Sequence, residues 1–188
     1  MNTVQPIRDL AKIGKIKRTL RKRTARDYML FVMGINTALR VGDLLDLNVS
    51  DVIDDDGNVV DFIGLTENKT GKFKRLKINE SAKEAIAFFV DEQNPDRSEP
   101  LFRSPRTGKA ISRVQVWRLL EKWASEVGIK DAIGAHSLRK TWGYQARQQG
   151  ISLKLIQKKL GHATPDVTCR YIGITADEIE EVEDSVSL

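Results

Sequence analysis

The sequence is poor in the residues that several chemistries require. Its 188 residues include one cysteine, Cys169, which excludes an intramolecular disulfide and fits a reducing cytoplasm. Histidine occurs only twice, as His136 and His162. No apolar run reaches the ~18 residues of a membrane-spanning helix, and the N-terminus lacks the apolar stretch of a signal peptide. A phosphate-binding glycine-rich loop, zinc-ligand spacing, internal repeats and low-complexity tracts are all missing. The run Asp54-Asp55-Asp56-Gly57 invites a calcium reading. Aligned on Gly57, however, the EF-hand pattern needs an acid where Val52 stands and a glutamate where Ile63 stands. No metal, cofactor or membrane is expected.

Each end also lacks one sign of charge. Residues 1–26 carry nine Lys/Arg against a single acid, Asp9. Beyond Arg170 there is no basic residue and six acids, Asp177, Glu178, Glu180, Glu181, Glu183 and Asp184. The net charge of +5 would be +11 without them, with 31 basic residues against 20 acidic. A basic body suits a polyanionic partner, because Lys and Arg displace counterions from phosphates, although a solvated basic face reads the same way.

Periodicity and caps divide the chain as follows. Residues 6–23 read as a basic amphipathic helix with Leu10, Ile13, Ile16 or Lys17, and Leu20 inward. Thr24 and Asp27 mark a new start, and Tyr28, Phe31, Val32 and Ile35 repeat at helical spacing. Val49 to Ile78 reads as strands, with turns at Asp54–Asn58 and Thr70-Gly71. Lys69, Lys72, Lys74, Arg75 and Lys77 crowd the second hairpin, either as a lysine-protected edge or as a basic finger for a nucleic-acid backbone. Asn79 to Asp91 is a helix, and Ser112-x-x-Gln115 is a capping box opening another, with Arg113, Arg118 and Lys122 outward and Trp117 and Trp123 assigned to the core. Further helices run from His136 to Gln149, from Ser152 to Gly161, and from Thr164-Pro165 past Tyr171. The expected fold class is mainly α with a small antiparallel β-sheet. The simplest partition is a basic N-terminal arm over 1–23, a catalytic domain over 24–175, and an acidic tail helix over 176–188.

Taken singly, the polar residues have ordinary explanations. Arg40, in an apolar neighbourhood, could pair with Asp43 one turn on. The ordered set is more informative: Thr37-Ala-Leu-Arg40-Val-Gly-Asp43, Asn68-Lys69-Thr-Gly71, His136-Ser-Leu-Arg139-Lys-Thr141, Leu160-Gly-His162 and Tyr171. In these segments, across about residues 24–175, the sequence resembles the tyrosine recombinase (phage integrase) family. Lys140 and Trp142 stand where many members have His and Phe.

The resemblance implies a DNA breaking-rejoining fold and a site-specific recombinase that cuts and rejoins DNA through a 3′-phosphotyrosyl link. The nucleophile would be Tyr171 and the general base His136. Arg40, Arg139 and His162 would bind the phosphate, Lys69 would protonate the leaving 5′ oxygen, and Asp43 would brace Arg40. Metal and ATP would not be needed. Lys72, Lys74, Arg75, Arg113, Arg118 and Lys140 are candidate DNA contacts. Double-stranded DNA is the expected partner, in the nucleoid of the cytoplasm. A homotetramer would form on DNA through the tail, with a monomer or weak oligomer off DNA. An accessory DNA-bending protein or a partner recombinase could join it. Members usually carry a separate N-terminal core-binding domain; only about 23 residues precede the matching part here, so either the chain is a stand-alone short recombinase, the favoured reading, or that domain is missing from this sequence. The alternatives are a type IB topoisomerase-like relaxing enzyme, a catalytically silent DNA-binding regulator of recombination, and a generic basic nucleic-acid-binding module.

Overall fold

The computed structural model describes residues 4–174, so the acidic tail expected over 176–188 lies outside the described residues. Eight α-helices and one two-stranded antiparallel sheet follow in chain order: α1 (Leu10–Arg23), α2 (Ala25–Thr37), α3 (Val41–Leu45), β1 (Phe62–Thr66), β2 (Phe73–Lys77), α4 (Glu80–Gln93), α5 (Arg113–Glu126), α6 (Ala135–Gln148), α7 (Leu153–Leu160) and α8 (Pro165–Ile172).

Helix α2 is the centre. Met29 to Met33 are all fully buried, so the helix is apolar on every side and must be surrounded. It packs against α1, α4 and α6. Ile13, Ile16 and Leu20 bring α1 into the same core, while Leu10, expected inward, is exposed. The local caps follow the sequence. Asn79 accepts from Ala82 N at 3.0 Å, and Ser112 and Gln115 form the reciprocal box that opens α5. Thr164 caps α8 by accepting from Val167 N at 3.3 Å, and Pro165 follows at the first helical position.

Two further expectations differ from the structure. Val49–Asp51 is a 3-10 turn rather than strand, because Asn48 and Asp51 close a capping box, and Ile53 meets Val59 only as an isolated bridge. Trp117 is exposed rather than in the core. It lies one position past the stripe of Val116, Leu120, Trp123 and Ala124 that α5 buries.

The β1–β2 hairpin docks through Ile63 and Leu76, which face each other and are buried, while the alternating positions point outward. Two glycines set helix spacings. A Cβ on Gly34 would stand 2.5 Å from Leu138 Cδ1, and one on Gly143 would stand 2.6 Å from Ile172 Cγ2. Helix α6 therefore lies close to α2 on one side and to α8 on the other.

Candidate active site

The junction between α2 and α3 supplies the first part of the site. Helix α2 ends at Ala38, which is in the left-handed region at φ 57°. That conformation is strained for a residue with a Cβ, and it turns the Ala38 carbonyl toward α6. Arg139, buried in the middle of α6, donates Nη1 to that carbonyl at 2.6 Å and Nη2 to Leu160 O at 2.5 Å. One guanidinium thus ties the end of α2 to the end of α7, a bridge that a lysine's single ammonium could not make. Burial lowers the Arg139 pKa.

Arg40 begins α3, and its nearest carboxylate is Glu67, at 2.7 Å from Nη1. Asp43 lies 3.8 Å away, the more distant of the two partners. Asp43 instead accepts from Asn68 N at 2.9 Å and so anchors the hairpin turn to α3.

Gly161 stops α7 in the left-handed region, and His162 follows it. His162 Nδ1 is 3.2 Å from Thr168 Oγ1, which itself lies 3.2 Å from Thr164 O. The single Thr168 proton therefore sets which imidazole nitrogen carries hydrogen. The His162 ring meets the Tyr171 ring edge-on, with centroids 4.7 Å apart. The Tyr171 hydroxyl is buried and has no hydrogen bond of normal geometry among the described residues. Burial raises its pKa above the usual 10.0, against the opposing pull of the Arg139 and Arg40 guanidiniums.

His136 stands exposed in the first turn of α6. Both histidine pKa values are lowered, first by partial burial and then by Arg139. Lys140, Arg40 and Arg113 add to the effect at His136, and Arg40 adds to it at His162. Both imidazoles are therefore neutral at pH 7 and able to accept a proton.

Five of the six candidate residues, Arg40, His136, Arg139, His162 and Tyr171, are thus electrostatically coupled in one place. Lys69 is separate. It is exposed on the hairpin turn and makes no hydrogen bond or ion pair among the described residues.

The candidate DNA contacts divide. Lys72 and Arg118 are exposed, and Arg75 lies over the Phe62 ring, 3.7 Å from its centroid. Arg113 packs its guanidinium on Gly42, where a Cβ would force it to shift. Lys74 turns inward to Glu67 at 2.8 Å. Lys140 is buried, not on an open surface, with Nζ 5.2 Å from the Tyr171 ring centroid, because its position on α6 faces α8.

Sequence reasoning missed Glu67 and Lys159. Lys159 lines a cavity of about 180 Å³ with Glu67, Lys74, Arg75, Lys158 and Arg139. Burial, then the charges of Lys74 and Arg139, lower its pKa to about 8. The basic residues around this cavity were visible in sequence as Lys74-Arg75 on the hairpin and as the run Lys158-Lys159.

Residues 7–178 match the model of the phage integrase family. The chain is 42% identical over 177 residues to the probable integrase/recombinase YoeC of Bacillus subtilis, covering 94% of this chain and 93% of YoeC. Among solved structures, the XerA recombinase superimposes with a TM-score of 0.75 at 21% identity, covering 97% of this chain and 66% of the XerA chain. The XerH site-specific recombinase, solved in a post-cleavage complex with a palindromic difH substrate, gives a TM-score of 0.73 at 20% identity, over 98% of this chain and 54% of XerH. These two structures share the fold, and the chain spans between 54% and 66% of their length.

Proposed function

The chain belongs to the phage integrase family, and on that premise we propose that it is a tyrosine-type site-specific recombinase acting on double-stranded DNA. The observation that carries the proposal is the Tyr171 hydroxyl, buried beside His162, with the Arg139 guanidinium close to it but no hydrogen bond of normal geometry among the described residues. A buried phenol without a well-formed hydrogen bond is costly for structure alone. It is suited to a site whose partner arrives with the substrate.

The steps follow from the chemistry. Tyr171 rests protonated, because burial raises its pKa. Neutral His136 takes the phenolic proton as the Tyr171 oxygen bonds to the scissile phosphorus. The two non-bridging oxygens gain charge, and Arg40 and Arg139 stabilise it with His162. The bond from phosphorus to the 5′ oxygen breaks, and that oxygen takes a proton from Lys69, which is free on its turn. The phosphotyrosyl link keeps the phosphodiester energy, so the 5′-hydroxyl of a second strand reverses the step and joins the strands.

Arg113 and Arg118 on α5 and Lys72 and Arg75 on the hairpin would contact the DNA backbone. Lys140 would act from beneath Tyr171 rather than on DNA. The arm (1–23) would pack on the catalytic domain (24–175) through the buried face of α1, and the tail (176–188) would dock on a neighbouring protomer in a DNA-bound tetramer. The place of action would be the nucleoid; among the described residues no helix is long and apolar enough to cross a membrane. Similarity at 42% identity to YoeC, a probable integrase/recombinase, favours an enzyme over a silent DNA-binding regulator.

The test is a nicked suicide duplex carrying the target site, taken from DNA co-purified with the protein. The wild-type protein should form a covalent adduct that Tyr171→Phe cannot form. Tight DNA binding with no adduct from either protein would support the regulator instead.

A further inference from the structure

Glu67 is a carboxylate in a place where a DNA-cleaving site should not want one. It is 3% exposed and 2.7 Å from Arg40, a residue assigned to the scissile phosphate. A fixed negative charge there repels phosphate and offsets part of the Arg40 charge. A buried ion pair gains little stability by itself, because desolvation consumes most of the attraction.

Its contacts indicate what it does. Oε1 accepts from Arg40 Nη1 at 2.7 Å and from Lys74 Nζ at 2.8 Å. Oε2 accepts from Thr70 Oγ1 at 2.8 Å. The main chain of Glu67 closes the hairpin turn, with its N–H donating to Lys72 O at 3.0 Å and its carbonyl accepting from Gly71 N at 2.9 Å. Asp43, on the Arg40 helix, holds Asn68 N at 2.9 Å. The residues just before and just after Lys69 are therefore each gripped by a carboxylate close to Arg40. Among the described residues Lys69 itself makes no hydrogen bond or ion pair that would place it.

We propose that Glu67 is a positioning residue for leaving-group protonation: it locks the turn that carries Lys69 to Arg40, so that the proton donor and the phosphate clamp keep a fixed separation. The inference rests on the assignment of Lys69 as proton donor. The carboxylate is fully charged at working pH. Burial raises its pKa, but hydrogen bonds from Lys74 and Thr70 and the charges of Lys74 and Arg40 outweigh burial and hold it at about 2. Without it, Arg40 would keep its own charge and its partner Asp43, while the Lys69 turn would keep its main-chain bonds and the Asn68 contacts to Asp43 and Asp46 but lose the side-chain clamp that joins Thr70 to Arg40.

The test separates a proton-delivery defect from a general one. Glu67→Ala, Glu67→Gln and Lys69→Ala are compared with wild type on the suicide duplex and on the same duplex with sulfur replacing the leaving 5′ oxygen. A thiolate leaves without being protonated. On oxygen, Glu67→Ala and Lys69→Ala should slow adduct formation on the order of 10²-fold or more, the usual contribution of general acid catalysis. On sulfur both should return to near the wild-type rate. Glu67→Gln should be less impaired than Glu67→Ala, since an amide oxygen still accepts from Thr70.

Melting curves and DNA affinity show whether each variant folds; if Glu67→Ala does not, the same comparison is read from Glu67→Gln. If Lys69→Ala recovers on sulfur and the Glu67 variants do not, Glu67 acts on Arg40 or on the fold and the proposal is wrong. Wild-type rates for the Glu67 variants on oxygen would also overturn it. If Lys69→Ala itself fails to recover, the proton-donor assignment falls and takes the proposal with it.

Discussion

Substituting Gly143 by alanine would move Tyr171, the proposed nucleophile, without touching it. The new Cβ would stand 2.6 Å from Ile172 Cγ2 and 3.4 Å from Leu160 Cδ1. Carbon atoms pack at about 3.5–4.0 Å, so α8 must retreat from α6 by roughly 1 Å. Ile172 is the residue after Tyr171, and the two ride on the same helix. Overpacking of this kind costs about 1–3 kcal/mol. Replacing a mid-helix glycine by alanine returns about 0.5–1 kcal/mol. The net loss is about 0–2.5 kcal/mol, a fall in melting temperature of no more than ~10 °C for a chain of this size. The catalytic effect should be larger, because a ~1 Å misplacement of a reacting group costs on the order of 10²-fold. Gly143→Ala should therefore slow adduct formation on a suicide duplex ~10–100-fold while DNA affinity in a gel-shift assay changes less than about threefold. Wild-type adduct rates, or a loss of affinity as large as the loss of rate, would show that α8 is not positioned by its contact with α6.

Other substitutions probe the charges. Arg139→Lys keeps the positive charge but cannot reach both Ala38 O and Leu160 O; adduct formation should fall ~10²–10³-fold with DNA affinity and its salt dependence nearly unchanged. Lys159, with a pKa lowered to about 8, is charged at pH 7 and loses its proton as pH rises to 9. Affinity for DNA should fall over that interval, and Lys159→Met should remove the fall and reduce the salt slope by about one. A wild-type affinity flat from pH 7 to 9 would exclude Lys159 from the DNA interface. Deleting residues 176–188 should impair assembly of the synaptic complex, read by analytical ultracentrifugation on DNA, more than single-strand cleavage. Loss of cleavage with assembly intact would reverse that assignment.

The sequence carried more of the local structure than of the electrostatics. Caps such as Asn79, Ser112 with Gln115, and Thr164-Pro165 depend on residues three or four apart, and the helices begin where these residues stand. Arg40 shows the limit. Its visible partner was Asp43 at helical spacing, yet its nearest carboxylate is Glu67, 27 residues away, brought in by the hairpin. Lys140 looked like a surface base because nothing nearby in sequence says that α8 covers it. The Val49–Asp51 turn failed for the opposite reason. A β-branched residue suggested strand, but the side chains of Asn48 and Asp51 satisfied the local backbone first. The candidate residues were legible as an ordered set because most sit at a helix end or a turn, and Arg139 follows His136 by one helical turn. The same order could not show that Tyr171 packs on His162 while Lys69 stays in solvent.

The most direct measurement is identification of the DNA-linked residue. The adduct trapped on a suicide duplex is digested with protease and nuclease, and the modified peptide is sequenced by mass spectrometry. The account predicts a nucleotide joined through its 3′ phosphate to Tyr171. A 5′ linkage, a different modified residue, or an adduct still formed by Tyr171→Phe would contradict it.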